Sequence, residues 1–166
     1  MLKTTLTMFL LLSLLCPSIL FGEDSCTESK TKAVCKKELV QKQVEDACEL
    51  LIKEGKAALP KIKSLRYDCC GEPNYIWIND LVPNMIMHPI KPQLDGKNIS
   101  DNQDPDGVRL FVEMVKATES KAEGAWVNYR WTKFGESDPT PKISFVKRCS
   151  VSGTKDTWIA GSGTWK

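Results

Sequence analysis

A single histidine, one lysine and several polar-tipped rings are the residues of this 166-residue chain best placed to do chemistry. His88, its only histidine, could act as a general base, a metal ligand or a hydrogen-bonding contact to a bound molecule. The common fate of a lone histidine is simpler, burial at a strand end with its nitrogens satisfied. It follows the run Tyr75-Ile76-Trp77-Ile78-Asn79. In a strand Tyr75, Trp77 and Asn79 share one face and the two isoleucines share the other. Two polar-tipped rings and an amide suit a small-molecule pocket, where a plain core would use Val, Leu and Ile. The pattern recurs at Val127, Tyr129 and Trp131, which alternate with Asn128 and Arg130. Lys142 then opens the run Ile143-Ser144-Phe145-Val146. A lysine on the inside of such a sheet offers a compact cation to an anion. Singly, each residue is more often structural; their repetition on successive strands points to ligand binding.

Catalysis has little support. The chain has no G-x-S-x-G elbow, and Gly161-Ser162-Gly163 lacks that spacing. It has no G-x-x-x-x-G-K phosphate loop and no C-x-x-C pair. Asp104 and Asp106 fall in a Pro/Gly-rich stretch and read as solvated turn acids. Asp80 and Asp101 are equally ordinary. The reading is of a binding protein and not an enzyme, with no metal and no cofactor.

The elements that must position these residues follow from patterning. Lys3 and the apolar run Leu6–Phe21, ending in Gly22, predict a secretory leader over residues 1–22. An uncleaved anchor is the alternative, and lipidation at Cys16 a further one, although Leu15 before it is not small. Residues 23–166 then form one domain with a core of its own. A net charge of +2 gives no footprint for nucleic acid. Besides Cys16 there are six cysteines, enough for three disulfides in an oxidising compartment. Cys69 and Cys70 are adjacent, so each should have a distant partner. The expected pairings are Cys149 with one of them, and Cys26 with Cys35 or Cys48. Val40, Val44, Ala47 and Leu51 recur at helical spacing and predict a long helix over residues 31–58, stopped by Pro60. Such a helix covers a sheet or, alternatively, forms a seam between two copies of the chain.

From Arg66 onward the texture is of strands and turns. Strands are predicted at Tyr75–Asn79, Met85–His88, Ala125–Thr132, Lys142–Arg148 and Thr157–Ala160, with a short helix at Leu110–Ala117. Lys91–Gly107 reads as a long polar surface loop. The fold class is α+β, a long N-terminal helix packed on an antiparallel sheet.

Several motifs then occur in a recognisable order. They are Tyr75–Asn79, Met87-His88-Pro89, Leu94-Asp95-Gly96-Lys97, Asp104-Pro105-Asp106-Gly107, Ala125–Trp131, Pro141–Lys147 and Trp158–Gly163. Over about residues 31–165 the chain resembles the single Cache domain, the extracytoplasmic sensor of many bacterial chemoreceptors and sensor kinases. The resemblance implies a curved, PAS-like sheet with a pocket between it and the loop-helix segment above. It implies a small organic acid such as acetate, propionate, pyruvate or lactate as ligand. Tyr75, Trp77, Asn79 and His88 would form one wall, Tyr129 and Trp131 another, and Lys142 would pair with the carboxylate. Phe145 stands where the family often has tyrosine, and Met85 and Met87 would fill the remaining volume. Family receptors continue into a second membrane helix, whereas this sequence ends at Lys166, three residues after Gly163. The expectation is a periplasmic or secreted domain whose state is read by a membrane-bound chemoreceptor or sensor kinase. The alternative is an interaction module that dimerises through the long helix and keeps a vestigial pocket.

Overall fold

The computed structural model describes residues 26–29 and 32–166; the predicted leader, with Cys16, lies outside the described residues. The helical stripe read from the sequence is real: Val40, Val44, Ala47 and Leu51 are all fully buried on α1 (Lys37–Glu54). Gly55 ends α1 at φ 59° and returns its N–H to the Leu51 carbonyl. A side chain there would collide with the Ser152 carbonyl. One 3-10 turn leads to α2 (Leu59–Ser64), so Pro60 does not stop the helical segment. It lies in the first turn of α2, where its missing N–H has no intrahelical partner to lose.

The first residues of the predicted helix are not helical. β1 (Cys26–Ser29) and β2 (Lys32–Cys35) pair as an antiparallel hairpin, with Cys26 opposite Cys35. The cause is covalent. Cys26 is bonded to Cys70 and Cys35 to Cys69, which ties this hairpin to the next, β3 (Tyr67–Cys69) and β4 (Glu72–Asn74). An opposed pair of cysteines thus meets an adjacent pair, each taking one partner. The third disulfide joins Cys48 of α1 to Cys149. The expected pairings are corrected accordingly: Cys149 bonds neither Cys69 nor Cys70, and Cys26 bonds neither Cys35 nor Cys48.

The main sheet contains β5 (Trp77–Asp80), β6 (Met85–Met87), β7 (Ala125–Thr132), β8 (Pro139–Ser150) and β9 (Thr157–Trp165). All pairings are antiparallel, in the order β6-β5-β9-β8-β7. The architecture is therefore α+β, one long helix on an antiparallel sheet. β7 and α3 (Leu110–Ala117) keep the bounds expected from sequence, while β8 and β9 run several residues further. α1 packs across β8 and β9 over Ile78, Phe145, Cys149, Trp158 and Ala160. The opposite face carries Trp77, Val127, Tyr129, Val146 and Ile159 beneath α3 and the loop that precedes it. Period-two alternation along each strand separates the two cores. It also places Phe145 on the helix side; Met87 joins it because the β5–β6 register shifts at Ile78/Asn79, so only Met85 fills the pocket side as expected. Within the chain this stripe packs on the sheet.

The segment 91–107 is more than a polar surface loop. Ile99 is buried among Trp77, Met85 and Leu110. Asp104 is buried as well, which corrects its reading as a solvated acid. Its carboxylate accepts the backbone N–H groups of Asp106, Val108 and Arg130 at 2.9–3.0 Å, pinning the loop to β7. Among the described residues no helix is long and apolar enough to cross a membrane.

Candidate functional site

Lys142, Ser144 and Val146 alternate on β8 toward the side of the sheet away from α1. Across β7 the register sets Tyr129 opposite Lys142 and Trp131 opposite Thr140. On the other flank Trp165 of β9 stands opposite Lys142, and Gly161 stands opposite Trp77 of β5. Four strands thus deliver their rings and one cation to a common surface.

Glycines make that surface possible. A Cβ on Gly161 would run into the Trp77 indole, and one on Gly163 into Ser144 and the Lys142 side chain. Bare backbone on β9 lets the indole and the lysine stem lie across it. Gly161→Ala is expected to displace the Trp77 ring and cost about 1–3 kcal/mol, the range for overpacked cores. Urea unfolding reads the loss and tryptophan fluorescence reads the displaced ring. An unchanged midpoint would show that the ring has room to move.

Lys142 is the most unusual residue here. Among the described residues it is the largest fully buried side chain, 1% exposed. Its Nζ lies 3.4 Å from the Tyr75 hydroxyl. The ring centroids of Trp165, Tyr75 and Trp77 are 4.7, 5.0 and 5.8 Å away. Among the described residues no carboxylate forms an ion pair with it. Burial, with the like charge of Lys91 adding to it, pushes its pKa down to about 7. The rings offset part of the dehydration cost through their quadrupoles, and the rest stands uncompensated.

His88 is buried beside this group. Its Nδ1 accepts the backbone N–H groups of Ile90 and Lys91 at 3.2 and 3.0 Å, which leaves a neutral ring with its proton on Nε2. Burial, together with the charges of Lys142, Lys91 and Arg66, holds its pKa down at about 3. The ring contacts Tyr75, 5.1 Å away between centroids, and Trp131, 6.2 Å away with the planes inclined at 29°. Tyr129 shares a 2.8 Å hydrogen bond with Ser144 and meets Trp131 edge-on. Burial pushes the Tyr75 phenol up to about 12, so it remains a neutral donor.

A cavity of about 450 Å³ opens against this group. Tyr75, Trp131, Trp165 and Lys91 line it, with the Cys35–Cys69 disulfide and Cys70 along one side. Of the residues singled out from sequence, Tyr75 and Trp131 face the cavity directly. Lys142 touches two of the rings that line it, Tyr75 and Trp165. His88 contacts Tyr75 and Trp131, Tyr129 meets Trp131 edge-on, and Trp77 lies outside the lining, 5.8 Å from Lys142 Nζ. Asn79 stands apart from the cavity, because its amide is already engaged. It accepts the Trp77 indole N–H at 3.1 Å and donates to the Asp80 carbonyl at 2.9 Å, so it orients the indole.

Two contributors escaped the sequence reading. Trp165 was hidden by the expectation that β9 ends at Ala160. Alternation carried past the glycines (161, 163, 165) would have placed it on the same face. Lys91, whose Nζ rests 4.1 Å above the Trp131 ring, gives no sequence signal beyond its place three residues after His88.

The sequence pattern that defines the Cache domain matches residues 49–165. Two curated proteins are clearly similar. The methyl-accepting chemotaxis protein McpP of Pseudomonas putida is 44% identical over 108 residues, 65% of this chain. The sensor histidine kinase MctS of Rhizobium johnstonii is 33% identical over 95 residues, 57% of this chain. The chain spans only 18% and 19% of the lengths of those two proteins. Among solved structures, a periplasmic sensor domain of a chemotaxis protein superposes with TM-score 0.66 at 37% identity, covering 77% of this chain and 93% of that one. A second, described as the structural basis for carboxylic acid recognition by a Cache chemosensory domain, gives 0.65 at 38%, covering 77% and 91%.

Proposed function

This chain belongs to the Cache domain family, and from that premise we propose that it is an extracytoplasmic sensory domain that binds a small carboxylate without transforming it. One observation carries the reading: Lys142 is a buried cation facing three aromatic rings with no carboxylate of its own. A ligand carboxylate supplies the missing charge, and the Tyr75 hydroxyl and the Nε2–H of His88 are at hand as neutral donors to it. A carboxylate leaving water needs such a partner set. The related domain known for carboxylic acid recognition supports this choice of ligand class. Three disulfides support placement outside the reducing cytoplasm. The relatives McpP and MctS suggest that a chemoreceptor or histidine-kinase transmitter reads the bound state.

A thermal-shift series with C2–C4 carboxylates tests the proposal. A ligand at 100 times its dissociation constant should add roughly 2.7 kcal/mol of stability. The double variant Lys142→Ala with Tyr129→Phe should lose that shift. A shift that survives in the double variant would place the ligand elsewhere.

A further inference from the structure

Four cysteines meet where the two small hairpins are bonded together. Cys26 stands opposite Cys35 across β1 and β2, while Cys69 ends β3 and Cys70 begins the turn after it. Both bonds cross between the hairpins, Cys26 to Cys70 and Cys35 to Cys69, with Cα atoms 5.2 and 5.0 Å apart. Directly opposed residues of an antiparallel ladder have Cα atoms about 4.5 or 5.5 Å apart. That lies within the roughly 4.4–6.8 Å a disulfide spans. Cys26 therefore has two cysteines within reach, Cys70 across the hairpins and Cys35 within its own.

Access divides the three disulfides. Cys48 and Cys149 are 3% and 1% exposed and lie in the helix-side core. Cys26, Cys69 and Cys70 are half-buried, and Cys69 and Cys70 form one side of the cavity together with Cys35. Both partners of the Cys26–Cys70 bond are thus open to solvent, whereas Cys35 is 3% exposed. Among the described residues Cys70 is also the one residue other than glycine at positive φ, 61°, a conformation that strains a side chain of this kind. The Asn74 amide donates to Cys69 Sγ at 3.5 Å, so a thiolate released there finds a hydrogen-bond donor. A better-stabilised thiolate is a better leaving group.

We propose that these four cysteines form a thiol–disulfide exchange site for a dithiol reductant, and that a single two-electron reduction there unties the two hairpins. One thiolate of the dithiol attacks Cys70 Sγ; the S–S bond breaks and Cys26 leaves as a thiolate. Cys26 Sγ then attacks the sulfur of Cys35 opposite it, which forms a Cys26–Cys35 bond and releases Cys69 as a thiolate. The second thiol of the reductant displaces Cys70 and departs as the reductant's own disulfide. Cys69 and Cys70 each take up one of the two protons that the dithiol gives up. Two protein disulfides and one dithiol become one protein disulfide, two cysteine thiols and one oxidised reductant. β1–β2 then carries its own bond, β3–β4 carries two thiols, and the disulfide side of the cavity opens whatever molecule the cavity holds.

A dithiothreitol titration of the purified protein, quenched with iodoacetamide and mapped as peptides without further reduction, tests the exchange. The first reduced species is expected to carry alkylated Cys69 and Cys70, a new Cys26–Cys35 bond and an intact Cys48–Cys149 bond. Hydrogen exchange on that species should show loss of amide protection over β1 and β2, with α1 unchanged. Reduction of Cys48–Cys149 in the same step overturns the proposal. Alkylated Cys26 and Cys70 beside an intact Cys35–Cys69 bond does so too, as do three bonds that resist until the protein unfolds. The variant Cys69→Ser with Cys70→Ser presets the product and should form Cys26–Cys35 with no reductant added. Free Cys26 and Cys35 thiols in that folded variant would count equally against the exchange.

Discussion

Lys142→Met is expected to abolish carboxylate binding and, at the same time, to make the ligand-free protein more stable. The two effects share one cause. Folding takes the Lys142 ammonium out of water into a ring-lined site that holds no carboxylate. Its folded pKa, about 7, lies below the ordinary 10.5. Between those values the unfolded chain binds more protons than the folded one, so this residue's contribution to stability rises as pH increases through the window. Methionine has similar length, fills the same volume and brings no charge to dehydrate. The variant should gain about 1–4 kcal/mol at pH 6, as when other buried ionic groups are replaced by packed apolar ones. The gain should shrink toward pH 10. Carboxylate affinity should fall at least about 100-fold, because the buried charge pair loses one partner. In the wild type, affinity should also decline as pH rises above about 7, since binding of the carboxylate must then be accompanied by uptake of a proton from solvent by the neutral amine. Urea unfolding at pH 6 and 9, with calorimetry alongside, reads every arm. A variant less stable than wild type at pH 6 would mean that the rings fully compensate the cation, and the drive for an anion would vanish.

Removing the Cys48–Cys149 disulfide should have the largest effect on stability. It closes a loop of 101 residues and joins α1 to β8 through the centre of the helix-side core. Chain-entropy reasoning puts the loss near 4.7 kcal/mol for a loop of about this length. A domain of this size has roughly 5–15 kcal/mol in total. Cys48→Ala with Cys149→Ala should therefore lose from about a third to nearly all of that stability, read as a lower urea midpoint by far-ultraviolet dichroism. The other two disulfides close loops of 44 and 34 residues and sit along the cavity edge. A change below about 1 kcal/mol in the Cys48/Cys149 variant would show that α1 is held by packing alone.

What could be read from the sequence follows from where a single rule acts undisturbed. Tyr129 and Trp131 lie on a strand with unbroken alternation, and Lys142 lies on the next one, so their shared face was legible. α1 was legible in its middle because Val40, Val44, Ala47 and Leu51 all meet the sheet. Its start was not, since helix-compatible residues before Lys37 are held extended by bonds from Cys26 and Cys35 to residues far along the chain. Trp165 was obscured because glycine lowers strand propensity, although Gly161 and Gly163 are there to admit Trp77 and Lys142. Asp104 looked like a solvated turn acid, and nothing local betrays that its second oxygen reaches Arg130. Asn79 was correctly placed on the ring-bearing face, yet its amide is spent on holding Trp77.

The position of β9 has a consequence in time. It pairs with β5 on one side and β8 on the other, joining Trp77 to Gly161 across 84 residues of chain. During synthesis at about 5–20 residues per second, β5 waits roughly 4–17 s for that neighbour. Throughout this interval one long side of β5, and then of β8, is an open edge that any extended segment can occupy. Pairings so distant in sequence also close slowly once every residue is present. The nascent chain therefore passes through a period in which β5 and then β8 must wait, with an edge exposed, for the neighbour that closes the sheet.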